Sequence, residues 1–317
     1  MCLVSVIMPT YNRAHLLDCS VRSVLNQTLS DFELLIIDDG STDRTQEKVF
    51  SFQDDRIKYV YKGNSGVSSA RNVGLDAAEG NYIAFLDDDD CWPNDYLEKM
   101  IDKLQENKEY GLAYCRFSIK NDGRVLKTTD LSLCVSGRLT VNLFQNSFIL
   151  PSTSVISRHV MNGLRFDEAL DTSEDSDYYL RLSVYTNFLF VRDMIVEKNE
   201  TPMSLANKIN CNRIRSLERF FYRLNGKQDI PLKIANKKLS KSCRQTAKNY
   251  LRLKNYKAAN HLLLRAIRYN PYRWNLYFEY IHTKLLSLLN NAEWKQPEPL
   301  AAPIMSVRGV NYPFISG

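Results

Sequence analysis

The strongest constraint on the fold is a regular alternation of apolar runs and helix-like segments over the first 120 residues. Four largely apolar runs of strand length occur there, at residues 3–8, 33–37, 57–61 and 82–86. Between them, apolar side chains recur at the spacing of an amphipathic helix. This alternation predicts an α/β fold of βαβ units with a mostly parallel sheet. Because the runs are apolar throughout, helices are expected to cover both faces of the sheet.

Several local signals predict where the helices begin and end. Asn12 is placed to cap the first helix, and Pro93 to open the helix after the fourth strand. A helix is predicted over residues 65–78, a turn at 121–123, and a further helix from about Ser173 to Tyr185. From residue 111 to about residue 200 the pattern is otherwise weak, so only short strands are expected there.

Composition and charge divide the chain into three parts. Residues 1–204 carry 21 Lys+Arg and 31 Asp+Glu, whereas residues 205–290 carry 19 Lys+Arg and 3 Asp+Glu. Such a split indicates parts with different partners. We therefore predict an α/β domain over 1–205, a basic helical region over 206–290 and a loosely ordered tail over 291–317, which is rich in proline and lacks periodicity.

Composition also excludes several classes of protein. The chain is 44% hydrophobic and 25% charged over 317 residues, which is typical of a soluble globular protein. It contains no apolar run of membrane-spanning length and no basic segment before the first apolar run, so neither a span nor a signal peptide is expected. Its seven cysteines are scattered without a CxxC pair, so neither a disulfide framework nor a zinc site is predicted. This cysteine usage fits a protein of the reducing cytosol.

Polar residues follow each of the four predicted strands. They are Thr10-Tyr11-Asn12-Arg13, Asp38-Asp39-Gly40-Ser41, the 63–66 loop that leads to Arg71, and Asp87-Asp88-Asp89-Asp90. In an open parallel sheet, ligands bind outside the carboxyl ends of the strands. We therefore expect all four sets to meet at one edge of the sheet.

The run of four aspartates is the most informative of these sets. Adjacent carboxylates repel one another, and Mg²⁺ or Mn²⁺ would neutralise them while leaving coordination positions open for substrate phosphates. The alternative is a solvated acidic loop whose charge stabilises the helix start at Pro93. The position of the run directly after a buried strand favours the cation.

Each remaining candidate also has a purely structural explanation. Residues 38–41 could form an Asx turn, and residues 10–12 a capped helix start. Arg71 could be a phosphate partner or a surface base. Glu174 and Asp175 could be first-turn acids that interact with the helix dipole, or they could present a general base to an attacking hydroxyl.

Five segments taken together resemble family 2 glycosyltransferases of the GT-A fold. The resemblance covers roughly residues 1–205, and its specificity lies in the order and spacing of the segments rather than in any one of them. The segments are VSVIMPTYNRAHLL (4–17), IIDDGSTD (36–43), NSGVSSARNVG (64–74), YIAFLDDDD (82–90) and EDSDYYLRL (174–182).

The resemblance implies a role for each matching residue on the donor side. It places Thr10, Tyr11 and Asn12 in the nucleotide pocket. It also implies that Asp39 pairs with the base and that Arg71 lies beside the nucleotide. Asp87 and Asp89 match the DxD motif, in which the first aspartate approaches the ribose and the second holds Mn²⁺ or Mg²⁺. Asp88 or Asp90 could share these roles, because a run of four blurs the register.

On the acceptor side, the resemblance implies that Asp175 is the catalytic base and Glu174 its neighbour. It implies an inverting hexosyltransferase whose donor is a nucleotide-diphosphate sugar, most often a UDP-sugar. The acceptor would be a glycan or a lipid-linked glycan, and the product a cell-surface or exported polysaccharide made in the cytoplasm. Residues 206–290 would shape the acceptor site or, as we favour, contact an anionic membrane at its inner face. Nucleic acid ranks last, because the basic residues are dispersed and form no known motif.

Two departures from the family pattern and three alternatives accompany this interpretation. The QxxRW motif of processive members is absent, which favours transfer of one sugar at a time, and residues 197–205 lack the histidine that many relatives carry. A haloacid-dehalogenase-type phosphatase would require Thr or Val where Cys91 stands. A sugar-1-phosphate nucleotidyltransferase would require a glycine-rich loop after the first strand. A non-catalytic binding or scaffold member is disfavoured because Asp89 and Asp175 are intact.

Overall fold

The computed structural model describes residues 2–121, 124–199, 210–224 and 226–289. The chain divides into two compact units, Met1–Leu205 and Ala206–Gly317. Residues 122 and 123 of the expected turn, and the tail expected over 291–317, lie outside the described residues. None of the described helices combines the length and the apolar character needed to cross a membrane.

The first unit is built on one sheet, which contains nine strands in the described part of the chain. Their order is β3-β2-β1-β4-β8-β6-β9-β5, and β7 pairs with β6 off this path. The strands are β1 (Val4–Thr10), β2 (Phe32–Asp38), β3 (Ile57–Tyr61), β4 (Tyr82–Phe85), β5 (Asp90–Cys91), β6 (Tyr110–Asn121), β7 (Arg124–Thr128), β8 (Ser154–Ser157) and β9 (Asn187–Asn199).

The four strands predicted from the apolar runs form a parallel block. β1 lies between β2 and β4, and β2 pairs with β3, all in parallel. Pro9, expected to follow the first strand, lies inside it opposite Ile37. A proline is tolerated there because pairing with β4 has already ended at Ile7 and Phe85, so no ladder hydrogen bond on that side is lost.

The second half of the sheet is mixed and differs from the sequence expectation. β8 is antiparallel to β4 and β6, whereas β6 and β9 run parallel to each other. Short strands were expected here, but β6 has 12 residues and β9 has 13. Their distal halves carry polar and charged residues such as Lys120 and Glu197, so no apolar run marks their length.

The helices of the first unit cover both faces of this sheet. Their bounds are α1 (Leu17–Leu25), α2 (Thr45–Phe50), α3 (Val67–Ala77), α4 (Tyr96–Glu106), α5 (Thr140–Gln145) and α6 (Glu174–Leu182). Two predicted helix starts are wrong. α1 begins five residues after Asn12, whose side chain binds the β2 loop instead, and α4 begins three residues after Pro93.

Alternate residues of the parallel strands supply the two cores. On one face Val4, Val6 and Met8 pack in a cluster with residues of α1 and α4. On the other face α3 lies close against β1, because a Cβ on Gly74 would come within 2.4 Å of Ile7 Cγ2. A glycine at this position therefore sets how closely α3 approaches the sheet.

One disulfide contradicts the expectation that no cysteines would pair. Cys19 on α1 and Cys91 on β5 are joined with their Cα atoms 6.2 Å apart, within the usual range. α1 and β5 are neighbours in the fold. Because 72 residues separate the two cysteines, their pairing follows from the tertiary fold and leaves no local signal in the sequence.

The second unit is helical in its described part. Its helices are α7 (Asn212–Arg223), α8 (Gly226–Asp229), α9 (Leu232–Arg252), α10 (Tyr256–Tyr269) and α11 (Trp274–Leu289). A small core joins them, with Cys243, Leu262 and Leu276 among its buried members. Ser240 on α9 donates to the carbonyl of Ala266 on α10 at 2.8 Å. The predicted fold class, an α/β domain followed by a helical region, is confirmed.

Candidate active site

The carboxyl ends of β1 and β2 lie side by side and connect to the aspartate run. The backbone N–H of Asp39 donates to the carbonyl of Thr10 at 2.9 Å. The hydroxyl of Thr10 donates to Asp88 Oδ2 at 2.8 Å. Three of the four expected sets of polar residues therefore meet at one sheet edge, as parallel strands require.

Asp39 binds the start of α3. Its carboxylate accepts from the N–H of Ser65 at 3.0 Å and of Gly66 at 2.7 Å, and from Lys62 Nζ at 2.5 Å. Gly40 follows with φ +86°, and a Cβ there would come within 2.8 Å of Asn64 N. Only glycine fits this close approach. Asp39 thus connects the end of β2 to the loop that leads to Arg71.

Asn12 and Tyr11 have different surroundings. Asn12 has φ +53°, and its Oδ1 accepts from the backbone N–H of Thr42 at 2.7 Å. Its own N–H donates to Ser41 Oγ at 2.8 Å. Tyr11 is 47% exposed. The 10–12 segment is therefore held at its two ends and presents the tyrosine ring to solvent.

The aspartate run is largely buried, so the alternative of a solvated acidic loop is wrong. The side chains of Asp88 and Asp90 are 5% and 0% exposed. Asp88 Oδ1 accepts from Arg13 Nη1 at 2.8 Å. Asp90 Oδ2 accepts from Ser152 Oγ at 2.5 Å and from Lys198 Nζ. Buried carboxylates require such partners.

Burial and neighbouring charges shift the pKa values of these carboxyl groups in different directions. Burial raises the pKa of Asp88 to about 6, against the opposing effect of Arg13. Burial also raises the pKa of Asp90, with Asp87 and Asp89 adding to the effect. Burial acts on Asp87 too, but Lys198 and Arg71 outweigh it and hold its pKa below the ordinary value. Further positive charge at this point would favour the ionised forms of Asp88 and Asp90.

Three members of the run could hold a metal ion together. Asp87, Asp89 and Asp90 each offer a carboxylate oxygen, and these oxygens lie within 4.8 Å of one another. Asp90 Oδ1 is buried and has no hydrogen-bond partner among the described residues. A buried, unsatisfied carboxylate oxygen in an all-oxygen donor set fits a hard divalent cation such as Mg²⁺ or Mn²⁺.

Arg71 joins the aspartate run to the acidic pair on α6. Its Nη2 donates to Asp87 Oδ1 at 2.8 Å, and its Nη1 donates to Glu174 Oε1 at 2.9 Å. The side chain is 4% exposed and lies over the ring of Phe166. The alternative of a surface base is therefore wrong. Its planar fork fixes the distance between the two acidic groups.

Glu174 and Asp175 form the first turn of α6 but differ in their contacts. Ser173, in the left-handed region at φ +62°, turns the chain into the helix. Burial and the nearby Asp175 raise the pKa of Glu174, which pairs with Arg71. Asp175 accepts from the N–H of Ser176 at 2.5 Å and forms no ion pair with any described residue. Its carboxylate is therefore the more available of the two.

The structure brings most of the sequence candidates into one network. Side-chain hydrogen bonds form two groups, one of Thr10, Asp88 and Asp89 with Arg13, and one of Asp87 and Glu174 with Arg71. The backbone of the aspartate run joins the two groups, and a backbone hydrogen bond to Thr10 adds Asp39. Asn12 belongs to the neighbouring β2 loop, and Asp175 follows Glu174. Tyr11 lies in the same segment as Thr10 and Asn12, with its side chain about half exposed.

Three side chains that the aspartate run uses received no role from the sequence, although Arg13 was expected at this edge of the sheet. Arg13 also donates to Asp89 Oδ2 at 3.1 Å, and it could have been found from its place beside the 10–12 segment. Ser152 donates to Asp90, as noted, and accepts from the N–H of Asp87 at 3.1 Å. Lys198 binds Asp87 and Asp90 because β9 pairs with β5 at this residue. Neither Ser152 nor Lys198 has a local sequence signal, since Ser152 lies in the 3₁₀ turn before β8 and Lys198 is placed by the β5–β9 pair.

The sequence was compared with families of known proteins. The family model described as Glycosyl transferase family 2 matches residues 5–167, about half of the chain. The chain belongs to this family. Its predicted membership is confirmed, and the match includes every site candidate on β1, β2, α3 and β4.

Several bacterial glycosyltransferases are similar in sequence to this chain. UDP-Glc:alpha-D-GlcNAc-diphosphoundecaprenol beta-1,3-glucosyltransferase WfgD of Escherichia coli is 37% identical over 57% of this chain and 69% of its own length. Putative teichuronic acid biosynthesis glycosyltransferase TuaG of Bacillus subtilis is 43% identical over 37% of this chain and 45% of its own. An uncharacterised Rickettsia bellii glycosyltransferase matches over only 26% of its own length.

Solved structures show that the fold of this family 2 member is of the GT-A type. S. aureus TarS 1-349 in complex with UDP-GlcNAc has a TM-score of 0.60 at 18% identity, covering 92% of this chain and 93% of its own. Mannosyltransferase PcManGT from Pyrobaculum calidifontis, in complex with GDP-Man and Mn2+, has a TM-score of 0.56 at 19% identity and covers 92% and 87%. The chain is a glycosyltransferase enzyme, and TuaG, one of the proteins similar to it, is named for teichuronic acid biosynthesis.

Proposed function

We propose that this glycosyltransferase moves one sugar from a nucleotide-diphosphate donor, a UDP-sugar first of all, to a hydroxyl of a glycan or lipid-linked acceptor, with inversion. The observation that carries the proposal is Arg71, which binds Asp87 of the aspartate run and Glu174 beside Asp175. It connects the group suited to a donor diphosphate with the group suited to an acceptor hydroxyl. WfgD supports the lipid-linked acceptor by its printed substrate, and TarS supports the UDP-sugar by its bound ligand.

On the donor side, Thr10, Tyr11, Asn12, Asp39 and Arg71 would bind the nucleotide, with Asp87 and Asp88 at the ribose. Thr10 and Arg13 hold Asp88 in place, and Asp39 orders the loop before α3. The exposed ring of Tyr11 is placed to stack on a base, which would provide binding without charge. Arg71 supplies a fixed positive charge next to Asp87.

We assign Mn²⁺ or Mg²⁺ to Asp89, with Asp87 and Asp90 as the neighbouring oxygen donors. Their shared position and the unsatisfied Asp90 Oδ1 fit such an ion. When bound, the ion supplies charge neutralisation to the leaving nucleoside diphosphate. The Mn2+ in PcManGT supports the choice of ion.

On the acceptor side, Asp175 would act as the general base. Glu174 is bound by Arg71, whereas Asp175 keeps a half-buried carboxylate without an ion pair in the described structure. A base needs such an available oxygen to take the proton of an attacking hydroxyl. One displacement then inverts the anomeric centre, and the diphosphate leaves without needing a proton.

The donor half of the proposal is tested by thermal shift with UDP, GDP and dTDP, each with Mn²⁺, with Mg²⁺ and with EDTA. A ligand that binds only the folded state raises its Tm by mass action. We expect a metal-dependent shift with UDP that Asp89→Ala loses and Asp175→Ala keeps. No shift with any nucleotide would contradict the donor site and favour a non-catalytic member of the family.

We further propose that residues 206–290 associate with an anionic membrane, at the inner face where a lipid-linked acceptor would be held. The excess of 19 basic over 3 acidic residues in 205–290 supports this. Each Lys or Arg near an anionic surface contributes about 1 kcal/mol. Flotation with anionic liposomes tests the association, and the absence of salt-sensitive binding would contradict it.

A further inference from the structure

The last described helix, α11, is apolar on the side that faces solvent. Leu276 and Thr283 are buried on one side of the helix, and Leu276 packs in the core of the second unit. On the opposite side stand five large apolar residues that are each between 54% and 78% exposed. We call these five the α11 stripe: Trp274, Phe278, Ile281, Leu285 and Leu288.

The stripe is continuous along the helix. Its members recur at steps of four and three residues, and successive helical residues are about 100° apart, so all five fall within about a fifth of the circumference. Tyr277 and Leu289, 37% and 79% exposed, extend the stripe at its two borders. Soluble monomers rarely expose so large an apolar strip without a partner.

The positive charge of the second unit indicates what kind of partner the α11 stripe contacts. The described residues 210–289 carry 18 Lys+Arg and 3 Asp+Glu. A second copy of the chain would bring an equally positive unit against this one, and the two would repel. An anionic surface with an apolar interior satisfies both the stripe and the surrounding charge.

The chemistry along α11 fits the boundary between headgroups and acyl chains. Trp274, with Tyr272 just before the helix, places aromatic rings with polar edges at one end. Arg273 and Lys284 lie about 80–100° from the centre of the stripe, from where their long stems can direct their charges to headgroups. The helix has 16 residues, too few to span a bilayer but sufficient to lie in its surface.

We propose that the α11 stripe inserts into the surface of an anionic phospholipid bilayer, with the helix axis parallel to the membrane. The inference deepens the proposed membrane association and identifies the face that carries it. It also separates two contributions. The stripe provides apolar insertion, and the dispersed Lys and Arg provide the salt-sensitive attraction.

The test uses the full chain and vesicles of phosphatidylcholine with or without phosphatidylglycerol. We expect the protein to float with the mixed vesicles and poorly with phosphatidylcholine alone. Phe278→Glu combined with Ile281→Glu should lower the partition coefficient by about tenfold or more. Leu232→Glu combined with Leu253→Glu, at two apolar residues of the second unit outside the stripe with 60% and 63% exposure, adds the same charge; this control pair should retain most of the wild-type flotation.

Two further measurements separate the possible results. Trp274 emission should shift to the blue on vesicle binding, and Trp274→Phe should lose this shift. Unchanged flotation of the double variant would overturn the proposal, as would a wild-type dimer that the double variant converts to a monomer in light scattering. The UDP and Mn²⁺ thermal shift should be the same in wild type and double variant. Its failure in both would contradict the donor site and not the stripe.

Discussion

The two units of this glycosyltransferase place their charges in opposite ways. In the first unit, acidic residues outnumber basic ones, and the important ones are buried and paired: Asp87 and Glu174 with Arg71, Asp88 with Arg13. In the second unit, basic residues outnumber acidic ones six to one over residues 210–289, and large apolar side chains face solvent. Paired charges at a sheet edge suit chemistry on a small substrate. Dispersed charges beside an apolar strip suit a broad surface.

The largest expected effect is the loss of catalysis when Asp175, the proposed general base, is replaced. Asp175→Asn should lower kcat by about 10²–10⁴, because the acceptor hydroxyl keeps its proton. Asp175 forms no ion pair in the described structure, so Tm and UDP affinity should hardly change. Steady-state kinetics with donor and acceptor measure this. Asp102→Asn, at an exposed carboxylate of α4, serves as control, and an equal loss in both variants would remove Asp175 from the mechanism.

Next in size is the difference between a buried and a surface ion pair. Arg71→Gln leaves Glu174, whose side chain is only 12% exposed, without its cation and should cost about 3–5 kcal/mol of unfolding free energy. Arg244→Gln, whose partner Glu279 is about a quarter exposed, should cost less than about 1 kcal/mol. Urea unfolding followed by circular dichroism measures both. Equal losses of unfolding free energy in the two variants would contradict the difference between the buried ion pairs of the first unit and the surface ion pairs of the second.

A smaller effect concerns Lys198, which binds two carboxylates of the proposed metal group. Its Nζ contacts Asp87 and Asp90, so a divalent ion has to compete with it for those oxygens. Lys198→Met should therefore tighten Mn²⁺ binding by about tenfold, or about 1.4 kcal/mol. Titration of free Mn²⁺ by electron paramagnetic resonance measures this directly. Lys62→Met, whose partner Asp39 lies outside the metal group, is the control, and weaker binding in Lys198→Met would make the lysine a supporting residue instead.

The smallest effect lies in the second unit. Burial, with Arg213 and Lys241 nearby, lowers the pKa of Lys238 to about 8. A lysine whose pKa falls on folding stabilises the protein above its unfolded pKa, and this stability is lost as pH falls toward 8. Lys238→Met should therefore raise stability at pH 7 by about 1 kcal/mol and by less at pH 10. Thermal melts at both pH values measure the difference. A gain that is the same at both would indicate packing rather than charge.

Much of the first unit could be predicted because its information is local. The four parallel strands show as apolar runs, and the polar residues after them lie where the parallel topology requires. Arg71 and the aspartate run were found for this reason. The buried state of Asp90 could not be seen, because it depends on β9 and Ser152, which are far away in sequence.

What could not be predicted depends on pairing between distant segments. Lys198 reaches the aspartates only through the β5–β9 pair, and Cys19 reaches Cys91 only because α1 packs beside β5. Pro9 inside β1 is tolerated only because β4 ends early. In the second unit, the apolar residues at 285–289 indicate a helix face. Their exposure appears only once Leu276 and Thr283 are seen to take the buried side.

Gly74 shows how a residue with no chemistry of its own governs the reaction centre. It lies one helical turn after Arg71 on α3, where its missing side chain lets the helix rest on Ile7. Any larger residue would push the helix outward and carry the guanidinium away from Asp87 and Glu174 together. In the proposed reaction, the separation between the departing diphosphate and the incoming hydroxyl therefore depends on the hydrogen atom that stands in place of a side chain at Gly74. Selection for catalysis would then constrain Gly74, which has no reactive group, as strictly as Arg71.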